Sequence, residues 1–182
     1  MIKNIKKARI KFLINSIHPN YMLTLQLPYS HKAYKFERFR SHVKNIMKRI
    51  EKNLIGKKWN KHHYPFVIFY ENKGGLEPWH AHILCNFTDK ITGKTESYDN
   101  IETAISKADL MFRTCNGLKE GNESIDMDVS QLGTFESVCD AMNYCQKEVW
   151  HEDKDVYYQV RFEFSADMFG IDLPVKRCAS SK

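Results

Sequence analysis

The chain has no apolar run long enough to cross a bilayer. Its longest, Pro65 to Tyr70 and Ala81 to Cys85, are strand-sized, whereas a spanning helix needs about 20 apolar residues. The basic start, Met1-Ile2-Lys3-Asn4-Ile5-Lys6-Lys7, leads into mixed charge instead of an apolar core with a small-residue cleavage site, so it does not read as a secretory signal. No membrane partner is expected, and the expected location is cytoplasmic. The 5 cysteines are odd in number and form no Cys-x-x-Cys, which speaks for reduced thiols and against a disulfide framework. Repeats, low-complexity segments and evident linkers are absent too. Gly93-Lys94-Thr95 suggests a phosphate-cradling loop, but such a loop needs a glycine five residues earlier and that position is Thr88.

What is present describes a single domain. At 182 residues, 42% apolar and 27% charged, the chain is long enough to bury a core unaided. Residues 1–19 read as a basic N-terminal extension, 20–165 as the folded domain and 166–182 as a tail. The net charge of +6 is unevenly placed. Lys3, Lys6, Lys7, Arg9, Lys11 and the cations from Lys32 through Lys61 load the N-terminal third, and residues after Asp99 lean acidic. Such asymmetry suits a polyanion such as nucleic acid, and equally a solvated basic helix face.

Hydrophobic periodicity lays out the elements. Asn20 to Pro28 is strand-like. Phe36 to Leu54 carries Phe39, Val43, Ile46, Met47, Ile50 and Leu54 at helical spacing on a basic background, and Gly56 stops it. Tyr64 to Tyr70 and Trp79 to Phe87 are two strands joined through Asn72-Lys73-Gly74-Gly75. A helix starts near Asp99 or Asn100, either of which can cap it, and ends before Gly117. Ser124 to Leu132 alternates as a strand, Thr134 caps a helix through Val149, and Val156 to Phe164 alternates as the last strand. The order strand, helix, strand, strand, helix, strand, helix, strand predicts an α+β domain with a largely antiparallel sheet and helices packed against it.

Two constellations carry chemistry. In Trp79-His80-Ala81-His82 the two histidines share one strand face, because side chains alternate with period two. A His-x-His alone is a weak signal in a chain with 8 histidines. Glu71, however, ends the neighbouring strand across from His80, and two imidazoles with one carboxylate suit Mn²⁺ or Mg²⁺ with positions left open for phosphate oxygens. Glu77, in the turn, is the competing third ligand. Adjacent His62 and His63 cannot share a strand face and are discounted as a ligand pair. The second constellation is Tyr144 with Lys147. Tyr-x-x-Lys also occurs at Tyr29/Lys32 and Tyr70/Lys73, but only Tyr144 and Lys147 fall on a predicted helix, one turn apart. The apolar stripe of that helix is Phe135, Val138, Cys139, Met142, Cys145 and Val149, and Tyr144 lies nearly opposite it. An exposed tyrosine beside a surface lysine is the plainer alternative.

Leu23-Thr24-Leu25-Gln26-Leu27-Pro28 on a strand, His80-Ala81-His82 on a later strand and Tyr144-x-x-Lys147 on a helix, in that order, resemble the three motifs of the HUH endonucleases. The single tyrosine and following lysine are most similar to the rolling-circle replication initiators (Rep proteins) of small plasmids and single-stranded DNA viruses. The resemblance spans about Tyr21 to Phe164, and its first motif is loose. It implies a ferredoxin- or RRM-like domain whose central antiparallel five-stranded sheet carries the histidines. It also implies a nicking and joining enzyme for single-stranded DNA at a replication origin, with His80, His82 and Glu71 as metal ligands, Mn²⁺ or Mg²⁺ as cofactor, Tyr144 as nucleophile and Lys147 assisting. Lys44, Lys48, Lys57, Lys58, Trp59 and Trp79, with Tyr64, are candidates for phosphate contact and base stacking. The chain has no room for a helicase domain, so unwinding is expected to fall to a host helicase, with a host polymerase extending the primer. With one tyrosine, a second strand transfer needs either a second protomer, hence a homo-oligomer, or a second cycle. The alternatives are a relaxase or transposase of the same superfamily, the latter disfavoured by Glu148 four residues after Tyr144 where such transposases usually have glutamine, and a non-catalytic DNA-binding protein.

Overall fold

The computed structural model describes residues 16–26, 35–59, 62–72, 79–116, 126–147 and 161–165. The elements are β1 (Tyr21–Gln26), α1 (Phe36–Ile55), β2 (Phe66–Glu71), β3 (His80–Cys85), α2 (Tyr98–Asn116), β4 (Asp126–Gln131), α3 (Phe135–Lys147) and β5 (Arg161–Phe164). This is the predicted order, and the fold is α+β. The body of the sheet runs β4-β1-β3-β2, every neighbour antiparallel, and the short β5 lies along the outer edge of β2. Predicted strand ends at Leu27, Pro28, Ser124, Ile125 and Val156 to Val160, and the helix end at Val149, lie outside the described residues. None of the helices among the described residues is long and apolar enough to cross a membrane. Cys85, Cys115, Cys139 and Cys145 are free thiols.

Alternation along β1 separates the two faces of the sheet. Tyr21, Leu23 and Leu25 are fully buried, whereas Met22, Thr24 and Gln26 are half-buried. The first set faces α1 and α2 in a core with Phe39, Val43, Ile46, Ile50, Ile68, Ile83 and Ala108. The opposite face, with Val67, Phe69 and Leu84, is covered by α3 through Ala141, Met142 and Cys145. Central strands β2 and β3 are apolar on both sides for that reason.

Local chemistry sets the helix ends. Gly56 closes α1 at φ +69°, a conformation that side chains with a Cβ resist. α2 starts at Tyr98, a residue or two before the expected Asp99 or Asn100. Its cap is Ser97, whose Oγ accepts the Asn100 N–H at 3.3 Å, and Asp99 sits inside the first turn. Thr134 caps α3 as expected, accepting the Ser137 N–H at 3.1 Å. Phe135 departs from the predicted stripe of α3. At the first position of the helix it is 85% exposed, because α3 meets the sheet only from Val138 onward.

Two buried carboxylates tie α1 to the sheet. Glu163 on β5 accepts both Nε and Nη2 of Arg40, and the Tyr70 hydroxyl donates to it at 3.3 Å. Glu51 accepts the Tyr64 N–H at 2.9 Å and lies 2.8 Å from His63 Nδ1. Burial pushes the Glu51 carboxyl up to about 6 even though the His63 and Tyr64 contacts pull it down.

Arg40→Ala leaves a buried carboxylate with a phenol as its only partner. Because Arg40 is itself partly exposed, the expected loss is about 2 kcal/mol, less than for a fully buried pair, measured by urea unfolding. Glu51 gives a pH signature. Its folded pKa lies above the ordinary 4.5, so its contribution is full below that value and is lost as pH rises through about 6. Relative to Glu51→Gln, the wild type is expected to lose up to about 2 kcal/mol across that window, read from unfolding curves at each pH.

Candidate metal centre

Strand register builds the site. Glu71 on β2 stands directly across from His80 on β3, and His82 follows two residues along, so all three side chains share one face. It is the α3 face, because Phe69 and Leu84, in phase with them, pack in the α3 cluster. Glu71 Oε2 lies 2.9 Å from His80 Nε2 and 3.7 Å from His82 Nε2. The three ligand atoms all fall within 4.8 Å of one another. Glu71 and His82 are buried and His80 is half-buried, leaving one side of the group towards solvent.

The donor set fits a cation. Among the described residues, Oε1 of Glu71 and Nε2 of His82 are buried with no hydrogen-bond partner. Orphans of this kind are rare and cost about 1–3 kcal/mol each. A metal ion held by Glu71, His80 and His82 would engage both groups. Burial pushes the Glu71 carboxyl up, but the His80 hydrogen bond and the nearness of His82 outweigh it and hold the group down at about 2. Glu71 is therefore a carboxylate at neutral pH, as a ligand must be. These residues form a site that could hold a metal ion, and two nitrogens with one carboxylate suit several divalent metals.

Two further side chains meet this group. The Tyr144 ring on α3 lies edge-to-face on His82, with centroids 5.0 Å apart at 84°. Its neighbours Met142 and Cys145 are buried while Tyr144 is 53% exposed. Tyr144 is therefore beside the buried stripe and not nearly opposite it as expected, because its ring meets the sheet at His82, and the phenol is accessible at the flank of the site. Beneath it, burial and the charge of Glu71 push the Cys145 thiol far up, so it keeps its proton. The other is Thr24, which belongs to the loose first strand motif and was not among the expected site residues. It sits opposite His82 in the β1–β3 register, and its Oγ1 lies 3.1 Å from His82 Nδ1. A polar residue on the otherwise apolar stretch Met22 to Leu25 was the available signal.

The remaining candidates are dispersed. Lys44 and Lys48 lie on α1, across the sheet from the group. The Trp79 ring packs on Phe36 and Phe39, 5.0 and 6.3 Å away, on that same far side. Lys57 is exposed past the end of α1, and Trp59 stands 6.4 Å from the His63 ring. Tyr64 is not available for base stacking, because it is buried and its hydroxyl donates to Glu96 at 3.1 Å. His63 is taken up by Glu51, as befits a discounted ligand. Glu77 and the side chains of Lys58 and Lys147 lie outside the described residues. Gly93 turns a short loop at φ +68° closed by a Thr88–Thr95 bridge. No family model, curated protein or solved structure matches the chain.

Cation binding is measurable without any substrate. Mn²⁺ at about 100 times its dissociation constant should raise unfolding stability by about 2.7 kcal/mol, and a chelator should reverse the gain. His82→Ala should abolish it. A wild-type protein whose stability ignores Mn²⁺, Mg²⁺ and Zn²⁺ alike would remove the metal site.

Proposed function

We propose that the chain nicks and rejoins single-stranded DNA through a covalent 5′-phosphotyrosine on Tyr144, initiating rolling-circle replication of a plasmid or viral replicon. One observation carries it: an accessible phenol lies against His82, so a nucleophile and a cation site share one patch. The HUH form of the ferredoxin- or RRM-like fold belongs to the same proposal. It is supported by histidines on β3, flanked on both sides in the antiparallel sheet, and by a tyrosine-bearing helix on their face.

Bound at Glu71, His80 and His82, Mn²⁺ or Mg²⁺ would offset charge on the oxygens of a scissile phosphate. Tyr144 Oη attacks the phosphorus. An O–P bond to tyrosine forms, the bond from phosphorus to the 3′ oxygen breaks, the phenol proton leaves to solvent, and the 3′ oxygen takes a proton. The freed 3′-OH can prime synthesis by a host polymerase. One phosphoester is exchanged for another, so the same residue can run the step backwards and join ends. Lys147, one helical turn after Tyr144, is assigned to easing proton loss or countering phosphate charge. A phenol at this flank reaches phosphorus in line only on an unpaired strand, which calls for a host helicase.

The test is a denaturing gel of protein incubated with origin-like single-stranded oligonucleotides and Mn²⁺. A covalent adduct is expected, lost with chelator and reduced at least ~10³-fold in Tyr144→Phe, as for removal of a nucleophile. An undiminished adduct in Tyr144→Phe would reassign the nucleophile, and no adduct across a broad oligonucleotide library would leave a DNA-binding module.

A further inference from the structure

We propose, building on the reading of Glu71, His80 and His82 as a cation site, that Thr24 is a positioning residue that holds the His82 ring with Nε2 aimed at Glu71 and thereby sets metal affinity. A neutral imidazole has one N–H and one lone pair. At His82 the two nitrogens have different surroundings. Nδ1 faces the Thr24 hydroxyl at 3.1 Å, whereas Nε2 is buried without a hydrogen-bond partner and points towards Glu71 Oε2 at 3.7 Å.

The Thr24 hydroxyl can accept from an Nδ1–H or donate to a bare Nδ1, so it holds the ring in either tautomer. A cation at Nε2 needs the lone pair there, which puts the proton on Nδ1, where Thr24 Oγ1 accepts it. In both states the bond keeps Nε2 aimed at Glu71. The geometry is rigid on both sides: Thr24 is β-branched, which restricts its χ1, and it is locked opposite His82 by the β1–β3 ladder. His80 is held otherwise, by Glu71 itself at 2.9 Å. Thr24 is therefore the partner that orients the buried imidazole, as outer-shell groups do for metal-ligating histidines. Val matches the shape of Thr24 without the hydroxyl, and Ser keeps the hydroxyl.

Two measurements decide it. Long-range ¹H–¹⁵N NMR on the Zn²⁺-loaded wild type should show the His82 proton on Nδ1, with Nε2 given to the ion. A proton on Nε2 overturns the assignment without recourse to any variant. Calorimetric titration with Mn²⁺ should show ~10- to 100-fold weaker binding in Thr24→Val, the range for loss of an outer-shell partner, and affinity within about threefold of wild type in Thr24→Ser. Equal Mn²⁺ affinity in wild type and Thr24→Val overturns the role of Thr24 and leaves the cation site standing. Failure of the wild type to bind Mn²⁺, Mg²⁺ and Zn²⁺ alike overturns the cation site and the role of Thr24 with it.

Discussion

Everything at the candidate centre depends on the register of β3 between β1 and β2. Glu71 and Thr24 reach the two histidines only because each stands opposite its partner on the same side of the pleat. A slip of one residue would send His80 and His82 into the apolar layer beneath α1 and α2 and bring Ala81 and Ile83 to the α3 face. Loss of the far-face side chains from that layer, with polar rings in their place, is what forbids the slip. Leu23, Ile68 and Ile83 on the far face thus hold the chemistry in place without touching it. The site is a by-product of core packing carried through the sheet by a period of two.

Among the described residues three glutamates are buried, and Glu71 is held differently from the other two. Glu163 is gripped by Arg40 and Tyr70, and Glu51 by the Tyr64 N–H and His63, one partner to each of its oxygens. Those two read as fasteners between α1 and the sheet. Glu71 places one oxygen on His80 and leaves the other buried with nothing to accept from. A fold that satisfies two buried carboxylates completely and a third only in part has left room for a further cationic partner at the third. The same residue is the one whose companions are metal-ligand types.

Much of this was legible in the sequence. The apolar run that ends at Glu71 and the alternation at His80 and His82 are local patterns, and a short connection between two apolar runs makes them neighbours. Helix ends at Gly56 and Thr134 follow from single residues with one preferred conformation or hydrogen bond. Less legible was anything that depends on which elements pack together. Thr24 acquires meaning only from a pairing of β1 with β3 that spans 58 residues of sequence. Phe135 looked like part of a stripe because periodicity cannot say how far a helix overhangs its sheet. Tyr64 looked like an exposed aromatic because its partner, Glu96, arrives from a loop 32 residues away.

The placement of charge bears on how a polyanion could be held. α1 carries Lys44 and Lys48 on the side of the sheet away from Glu71 and the histidines. A helix layer sits roughly 10 Å from a sheet, and the Debye length at physiological salt is about 8 Å. At the site itself the field of these lysines is therefore largely screened. They can draw a nucleic acid towards the domain and hold a flanking stretch of it, but they cannot neutralise a phosphate lying against Tyr144. On the α3 face that task would fall to a cation on Glu71, His80 and His82. Capture and chemistry would then answer differently to salt, capture weakening steeply as counterions compete and the step at Tyr144 depending on the bound metal.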